Sequence, residues 1–457
     1  MPGNDANTKL LLHMTGADTS TSFPDTSIGS AAHTVTANGD AQVDTAIKKW
    51  GTGSLLLDGT GDYLSIPDSA DWDITGSYTL DFQVAHADHV GTETYIAQYE
   101  DATNLWKLYH INGSGIKFSI LGAAPVDTDF KGEITDTNFH HLAMIKVGDY
   151  YGVYKDGNQI GFAWQSATDT FTGSVYIGES GAAADYFAGN MDEIRVQADN
   201  YFSAAPNSFP AAPLLLYGEG TDGDTTMAND GYSGAVTLTN ATLEDDNPHL
   251  NATTSMYFNG TTAYATVVDT SGTDYDVLSS ATDSWTIDLF VKHITHSDPD
   301  VYIAQYVDLD NRWFLSHQSG TGIAFYSVDA TVAEIILDGQ EISDTNWHHV
   351  AVVKAGSDFG IYLDGVQGGY VSSTSTNNLT AGLTIGDRGD GGAPFYGYME
   401  QVQITKGNKF GVIPNVGLTS TITVPTAILT QDTITVPTEE YAAAAATTAR
   451  SQAVIIA

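Results

Sequence analysis

The stretch ITDTNFHHLAMIKVGDYYGVYKDGNQIG, residues Ile134 to Gly161, returns without a gap as ISDTNWHHVAVVKAGSDFGIYLDGVQGG, residues Ile342 to Gly369. In each copy, short runs of alternating apolar and polar residues flank an Asp-Gly pair. Alternation with a period of two indicates half-buried strands. An Asp-Gly pair between two such runs is a strong hairpin signal, because glycine accepts the positive φ of a tight turn. The stretch therefore predicts the same β-hairpin twice.

Other segments recur in the same order on both sides of this stretch. Ser54 to Tyr63 matches Ser255 to Tyr264, and Phe187 to Val196 matches Phe395 to Ile404. A period near 200 residues is far longer than the roughly 20 to 50 residues of solenoid repeats. A chain of that length buries about 70% of its unfolded surface and closes its own core. The sequence therefore predicts a tandem of two complete domains.

Strand-like runs rich in Val, Ile, Tyr, Phe and Thr follow one another through each copy, punctuated by Gly, Asp and Asn, and nothing shows a sustained helical period. In the first copy we predict strands at Lys9 to His13, Ser54 to Leu57, Tyr63 to Ile66, Tyr78 to Ala85, Thr94 to Tyr99, Leu105 to Ile111, Ile116 to Leu121, His140 to Val147, Tyr151 to Lys155, Gly173 to Ile177 and Asn190 to Val196. The second copy has a counterpart of each. This pattern indicates an all-β domain, either a sandwich or a barrel.

Charge and composition exclude several classes of function. The chain has 16 Lys and Arg against 56 Asp and Glu, a formal charge of -40, so it has no basic footprint for nucleic acid. An anionic membrane surface would repel it, and no apolar run approaches the roughly 18 residues that cross a bilayer. Without cysteine, disulfides, thiolate metal sites and cysteine nucleophiles are excluded. The acidity itself fits either a solubilising surface or calcium binding.

The first residues, MPGNDANTKLLLHMTGADTS, have neither the basic region nor the apolar stretch of a secretory signal. A protein that reaches the outside without such a leader can do so as part of a virus particle released by lysis. We therefore expect localisation on the surface of a virion.

The residues also resemble a known family. Phe or Trp followed by His-His-[Leu/Val]-Ala, then Tyr-x-Asp-Gly, then a final strand with Gly-x-Met-[Asp/Glu], is similar to laminin-G-like domains of the concanavalin A-like lectin and glucanase superfamily. The opening segments are similar to versions common in bacteriophage structural proteins. The resemblance covers Lys9 to Val196 and Leu214 to Ile404. It implies two tandem jelly-roll β-sandwiches. We predict the domains at residues 9–203 and 204–410, an N-terminal arm at 1–8 and, from the change in sequence character after Phe410, an extended C-terminal attachment arm at 411–457.

The His-His pairs, His140-His141 and His348-His349, are tempting metal ligands. Neighbouring residues of a strand point to opposite faces, so the two imidazoles of one pair cannot meet at one ion. We predict one ring inside the domain and one outside.

The resemblance implies a structural calcium site, formed by an acid on the last strand and by oxygens from two loops. Calcium takes six to eight oxygen ligands, and acidic loops at one rim supply them. The candidate ligands are Asp192, Asp18 and Asp58 in the first domain and Glu400, Asp222 and Asn259 in the second. Calcium is the one cofactor that we expect.

An enzyme is not expected. Hydrolases of this superfamily present paired carboxylates on one strand, and retaining hydrolysis needs them about 5–5.5 Å apart. The corresponding runs, TLDFQVA (Thr79 to Ala85) and TIDLFVK (Thr286 to Lys292), contain one Asp each and no Glu. A polysaccharide hydrolase is therefore the weakest alternative.

Aromatic residues make up 11% of the chain and are candidate platforms for sugars. Trp106 and Trp313 recur at one place inside a strand, which favours a core position. Tyr186 and Tyr396, which we expect in exposed Gly/Ala-rich loops before the last strand of each domain, are better candidates, together with Arg388. These three are the predicted ligand-binding residues.

The arm after Phe410 contains ITVPT twice, twelve residues apart. Alone it cannot bury enough surface to fold. Either it packs on its own sandwiches or it adds a strand to another chain.

These observations favour a non-enzymatic structural or decorating protein of a bacteriophage particle, on its surface or associated with its tail, whose lectin-like domains bind cell-surface glycans weakly. Residues 411–457 would attach it to capsid or tail proteins, and we expect a homo-oligomer. The main alternative is a calcium-dependent carbohydrate-binding adhesin of a phage fibre or a bacterial surface.

Overall fold

Two compact units form the chain in the computed structural model, which describes residues 3–128, 131–166, 169–209, 212–231, 234–250, 252–269, 272–296, 299–329 and 332–441. Unit 1 comprises Met1–Asn207 and Asp432–Ala457, and unit 2 comprises Ser208–Gln431. The structure thus divides the chain four residues later than the predicted boundary at 203/204. It also assigns the C-terminal arm to two different units, and residues 442–457 lie outside the described part.

Unit 1 is a β-sandwich of two antiparallel sheets. Its strands are β1 (Thr8–Leu12), β2 (Thr36–Asn38), β3 (Gln42–Asp44), β4 (Ser54–Asp58), β5 (Tyr63–Ile66), β6 (Tyr78–His86), β7 (Thr92–Asp101), β8 (Asn104–Ile111), β9 (Gly115–Leu121), β10 (Val126–Asp127), β11 (His140–Val147), β12 (Tyr150–Lys155), β13 (Asn158–Trp164), β14 (Ser174–Ile177) and β15 (Ala188–Gln197). One sheet has the order β13-β12-β11-β6-β15-β4-β3 with β1 also paired to β15, and the other has the order β10-β9-β8-β7-β14-β5-β2.

Unit 2 repeats this architecture. Its strands are β16 (Leu214–Leu216), β17 (Val236–Thr239), β18 (Thr242–Glu244), β19 (Ser255–Asn259), β20 (Tyr264–Val267), β21 (Ser284–His293), β22 (Asp300–Asp308), β23 (Asn311–Gln318), β24 (Gly322–Asp329), β25 (Val332–Asp338), β26 (Trp347–Ala355), β27 (Asp358–Leu363), β28 (Val366–Ser372), β29 (Leu383–Ile385) and β30 (Tyr396–Lys406). The sheets are β18-β19-β30-β21-β26-β27-β28, with β16 beside β30, and β17-β20-β29-β22-β23-β24-β25.

The predicted fold class is confirmed, and the sandwich is the correct choice between sandwich and barrel. All eleven strands predicted for unit 1 are present, and the structure adds β2, β3, β10 and β13. Within the described ranges, helix is limited to one short turn at Ala70–Trp72, and none is long and apolar enough to span a membrane.

The core of each unit lies between its two sheets, where the alternate apolar residues of the facing strands meet. Trp106 is 2% exposed and Trp313 is 0% exposed, which confirms that both belong to the core. Each indole N–H donates to a buried glutamine of the neighbouring strand, Gln98 at 2.9 Å and Gln305 at 2.8 Å. The polar edge of each ring is therefore satisfied inside the apolar layer.

The His-His pairs divide between inside and outside, as predicted. His141 is buried, with Nε2 3.3 Å from Asp81 of β6, while the half-buried His140 pairs with Asp156 of the hairpin turn at 2.6 Å. Burial acts to raise the pKa of Asp81, but the charge of Arg195 and hydrogen bonds from His141 and Tyr441 outweigh it and lower that pKa. The second histidine of the motif is thus part of a buried ionic network.

The network of unit 1 has Arg195 of β15 at its centre. Its Nε donates to Asp81 at 2.9 Å, and the guanidinium carbon lies 3.6 Å from the ring centre of Tyr201 and 3.9 Å from that of Tyr441. In unit 2 the equivalent carboxylate is Asp288, and its cation is Lys409, with Nζ 2.7 Å away. In each unit a cation thus neutralises the single Asp of the strand that pairs with the last strand. The two cations, Arg195 and Lys409, come from different positions in the sequence.

The described part of the arm packs on its own chain, which is the first of the two predicted alternatives. In unit 2, Ile422 N–H donates to Gly365 of the Asp-Gly turn at 2.9 Å, and in unit 1 Ile434 N–H donates to Gly157 at 2.8 Å. Both isoleucines are 7% exposed. The two ITVPT segments therefore bind equivalent hairpins, one in each unit.

Candidate functional site

A depression at one rim of unit 1 brings two predicted site residues together. It has a volume of about 250 Å³ and is lined by Asp58, Gly59, Thr60, Asp88, Val90, Glu93, Tyr186 and Ala188. These residues come from the end of β4 and the turn after it, from the loop between β6 and β7 with the start of β7, and from the loop before β15 with its first residue. They meet because Asp58 pairs with Ala188 in the ladder between β4 and β15. We call this the rim depression.

The rim depression combines an aromatic ring with exposed carboxylates. The ring of Tyr186 lies 6.5 Å from that of Tyr63, which in turn lies 5.9 Å from that of Tyr176. Asp58 and Asp88 are exposed, and Asp58 Oδ1 accepts the N–H of Thr60 at 2.7 Å, which fixes the turn. An aromatic face beside carboxylate acceptors suits a ligand that has both C–H faces and hydroxyl groups.

Of the predicted ligand-binding residues of unit 2, Tyr396 takes the position that Ala188 has in unit 1, opposite Asn259 in the ladder between β19 and β30. Tyr396 is the first residue of β30, and its ring is 6.4 Å from that of Tyr257. Arg388 donates through Nη2 to Asp390 at 2.7 Å, so this neighbouring carboxylate holds its guanidinium.

The calcium ligands predicted for unit 1 are not grouped. Asp192 is fully buried, and its Oδ2 accepts the backbone N–H groups of Lys49 and Trp50, each at 3.0 Å. Asp58 lies opposite Ala188, four residues from Asp192 along β15, a separation of roughly 13 Å at strand rise. Asp18 accepts from Thr45 instead. One ion cannot bind all three carboxylates.

Burial is the largest influence on Asp192. Together with the neighbouring charge of Glu193, it raises the pKa of this carboxyl to about 7, although the N–H groups of Trp50 and Lys49 act in the opposite direction. Asp192 therefore anchors the loop around residues 49–50 rather than facing a rim.

The corresponding set in unit 2 is dispersed in the same way. Glu400 is fully buried, with Oε2 2.6 Å from the N–H of His249 and Oε1 without a hydrogen-bond partner. Asn259 Oδ1 caps the turn that follows it, at 2.9 Å from the N–H of Thr262, and Asp222 accepts the N–H of Asp245. Calcium binding stays a prediction, but neither predicted set forms a common site.

We expect the replacement Glu400→Gln to stabilise unit 2 at alkaline pH. Burial raises the pKa of Glu400 to about 8. Above about pH 4.3 the unfolded chain releases this proton while the folded chain keeps it, so stability falls as the pH rises towards 8. Gln keeps the acceptor for His249 without that penalty. We expect a gain on the order of a few kcal/mol at pH 8 and almost none at pH 4.

Denaturant unfolding of the full chain across this pH range measures the effect. Glu244→Gln, on the half-exposed strand β18, is the matched control for removing one carboxylate charge from unit 2. If Glu400→Gln changes the stability equally at pH 4 and pH 8, the pKa of Glu400 is not raised in the folded chain.

The structure also brings together histidines that the sequence reasoning missed. The unit 1 histidine cluster consists of His86, Glu93 and His110, and the unit 2 histidine cluster consists of His293, His296, Asp300 and His317. In each cluster the potential ligand atoms lie within 4.8 Å of one another. The missed signal is the spacing His-x2-His-x3-[Glu/Asp], in HADHVGTE and HITHSDPD, repeated at the same place in both copies.

The electrostatics of the two clusters differ. Burial acts to raise the pKa of Glu93, but hydrogen bonds from His110 and His86 outweigh it and lower the pKa to about 2. In unit 2, burial lowers the pKa of His293 and of His317. Burial therefore favours the neutral form of these two imidazoles.

Comparison with known proteins agrees with this architecture. Residues 58–201 and 259–408, together more than half of the chain, match the family described as the concanavalin A-like lectin/glucanases superfamily. None of the curated proteins matches.

Several solved structures are similar to the chain. Domain 4 of AbnA, a GH43 extracellular arabinanase from Geobacillus stearothermophilus, solved with arabinotriose, is 17% identical, with a TM-score of 0.35 over 44% of this chain and 94% of that one. Domains LG4-5 of the mouse laminin alpha1 chain are 11% identical, with a TM-score of 0.27 over 82% and 95%. The binding domain of botulinum neurotoxin DC in complex with SialylT is 9% identical, with a TM-score of 0.34 over 92% and 99%.

Proposed function

Because the chain belongs to the concanavalin A-like lectin/glucanases superfamily, we propose that it is a non-enzymatic saccharide-binding protein whose site is the rim depression of unit 1. The observation that carries this proposal is the meeting of Tyr186 with the exposed carboxylates of Asp58 and Asp88 around one concave surface. A sugar ring can lie against the tyrosine while its hydroxyl groups donate to the carboxylates.

The size of the depression limits the ligand. Drug-sized ligand pockets span roughly 300–1,000 Å³, and the rim depression, at about 250 Å³, lies just below that range. It fits one or two sugar residues at the end of a chain. We therefore expect a single copy of the chain to bind a glycan weakly. Several copies that bind the same surface together should bind it more strongly.

The absence of catalysis is part of the proposal. Retaining hydrolysis needs two carboxyl groups about 5–5.5 Å apart in an open groove. The single acids of the two strands compared with hydrolases, Asp81 and Asp288, are instead buried and bound to cations. These two residues are therefore structural.

We expect Tyr186→Ala to weaken glycan binding by about tenfold, because it removes the aromatic face of the depression. Asp58→Asn should weaken binding less, because it keeps one acceptor oxygen. A glycan array of the full chain identifies a ligand, and calorimetry with that glycan measures both variants. Calcium and chelator arms of the array test the calcium-dependent alternative separately.

Tyr176→Ala is the matched control. Its ring neighbours Tyr63 on the same side of unit 1, yet Tyr176 does not line the rim depression. Equal losses for Tyr176→Ala and Tyr186→Ala, or an array blank in both arms, would exclude this site.

We propose a bacteriophage particle as the setting, with the sandwiches displayed on its surface and their rims reaching cell-surface glycans. The similarity of the opening segments to phage structural proteins supports this proposal. Mass spectrometry of purified virions tests it, and a particle that lacks the chain would exclude it.

A further inference from the structure

We propose that unit 2 holds a divalent transition metal of the zinc type in its histidine cluster. The four residues come from three neighbouring places in the fold. His293 ends β21, His296 lies in the loop after it, Asp300 begins β22, and His317 is in β23. Asp300 and His317 are directly paired across the ladder between β22 and β23. The topology therefore delivers three imidazoles and one carboxylate to the same point.

The imidazoles point inward without the partners that buried nitrogens require. His293 and His317 are both 0% exposed. Nδ1 of His293 and both ring nitrogens of His296 and of His317 are buried without a hydrogen bond. An unsatisfied buried polar atom destabilises the fold, so a concentration of them in one place requires an explanation. A bound metal ion supplies the missing partner of several nitrogens at once.

The surrounding residues orient the rings as outer partners of metal ligands do. Tyr302 Oη is 2.8 Å from Nε2 of His293, and Nδ1 of the same ring is 3.4 Å from Asp300. Nε2 of His317 lies 3.3 Å from a carboxylate oxygen of Glu341, without hydrogen-bond geometry. The hydroxyl of Tyr302 behind Nε2 of His293 fixes the tautomer of that ring and directs its Nδ1 towards the ion.

The kind of ion follows from the donor atoms. Calcium takes six to eight oxygens, whereas this cluster offers three nitrogens and one carboxylate. Imidazole nitrogen with one carboxylate suits zinc, and nickel and copper bind such sets as well. Four protein ligands close a tetrahedron and leave no position for substrate water. The site is therefore structural, and it joins β21, β22 and β23.

Unit 1 provides an internal comparison. Its cluster has Glu93 in place of Asp300, and this longer carboxylate reaches Nδ1 of His86 at 3.0 Å, while Nε2 of His86 lies 2.8 Å from Tyr95. The ring of His89, the counterpart of His296, stacks on His86 at 4.8 Å. In unit 1 the carboxylate of Glu93 hydrogen-bonds to His86, so this imidazole already has partners at both nitrogens. Unit 2 is therefore the stronger candidate for a metal site.

The test is a calorimetric titration of the chelator-treated full chain with Zn²⁺ alone, and with Ca²⁺ in parallel. His296→Ala, in a loop, and Asp300→Asn are the variants, and His249→Gln, a histidine of unit 2 outside the cluster, is the matched control. We expect the wild-type chain to bind one equivalent of zinc, and we expect the His249→Gln variant to bind it as well. His296→Ala and Asp300→Asn should each lower the affinity for zinc by more than about 100-fold. Loss of an outer partner, which does not contact the ion, lowers metal affinity by at most roughly 100-fold.

A second measurement covers the case in which a variant folds poorly. The zinc X-ray absorption spectrum of the wild-type chain should show nitrogen and oxygen neighbours at about 2.0–2.1 Å with the pattern of imidazole rings. An unmodified chain that binds no zinc, or a His296→Ala variant that keeps every zinc equivalent, would overturn the proposal. No saccharide enters either measurement, so the result is independent of the proposed function.

Discussion

Replacing Arg195 with leucine should destabilise unit 1 by about 3–5 kcal/mol, because it leaves the carboxylate of Asp81 buried without its cation. Asp81 and Arg195 are both 0% exposed, and Arg195 Nε donates to Asp81 at 2.9 Å. The replacement also removes the cation that lies over the rings of Tyr201 and Tyr441. Hydrogen exchange followed by mass spectrometry measures the loss in the full chain, because peptides of the two units are read separately.

The pH dependence identifies the cause. In the wild type the pKa of Asp81 is lowered, so its contribution to stability is present above the unfolded pKa near 3.9 and is lost as the pH falls. In Arg195→Leu the buried carboxyl takes up a proton readily, so the difference from wild type should shrink towards pH 4.

The double variant Asp81→Asn with Arg195→Leu removes both charges and should recover part of the stability. Lys409→Met, which removes the cation of Asp288, should lower the protection of unit 2 instead. An exposed ion pair contributes about 1 kcal/mol or less. If Arg195→Leu lowers the free energy of unfolding of unit 1 by no more than that, the ion pair with Asp81 does not stabilise unit 1 as a buried pair.

Ending the chain after Gln431 should destabilise unit 1 by about 3–5 kcal/mol and leave unit 2 unchanged. The truncation removes Ile434 and Tyr441, which are 7% and 3% exposed, and burying such a side chain contributes about 1.5–3 kcal/mol before ordering entropy. It also removes Asp432, whose carboxylate accepts the hydroxyl of Tyr154 at 2.6 Å. Exchange by segment again distinguishes the units.

A shorter truncation after Tyr441 is the control. It keeps residues 432–441 and removes only residues 442–457, so it distinguishes the contributions of the two segments. Sedimentation of each variant tests the alternative in which the arm adds to another chain. A truncation after Gln431 that changes the oligomeric state without changing the protection of unit 1 would favour that alternative.

The elements that the sequence predicts best are those whose pattern is complete within one segment. The hairpin around Asp156-Gly157 and the paired Asp364-Gly365 turn are examples, since alternation and turn chemistry agree in each copy. The strands that were missed are short or interrupted. The edge strand β10 has two residues. The second strand of the predicted hairpin, β13, received no predicted bounds because Gly161 interrupts its alternation.

The sites were harder to predict because they depend on register across strands. Asp192 and Asp58 are compatible as ligands in composition, but the ladder between β4 and β15 separates them, and a bulge after Asp192, with Glu193 at a φ of 50°, changes the direction of the side chains. His110 contributes to the unit 1 histidine cluster only because β8 pairs with β7. Sequence spacing alone does not contain this information.

The binding of the second ITVPT segment to the hairpin of unit 1 has a consequence during synthesis. Residues 432–441, which complete unit 1, leave the ribosome only after all of unit 2 has been made. At about 5–20 residues per second this delay is on the order of 10–45 s. During that interval the Asp156-Gly157 hairpin of the nascent unit 1 lacks its contact with Ile434, so unit 1 is completed by residues that are made after unit 2.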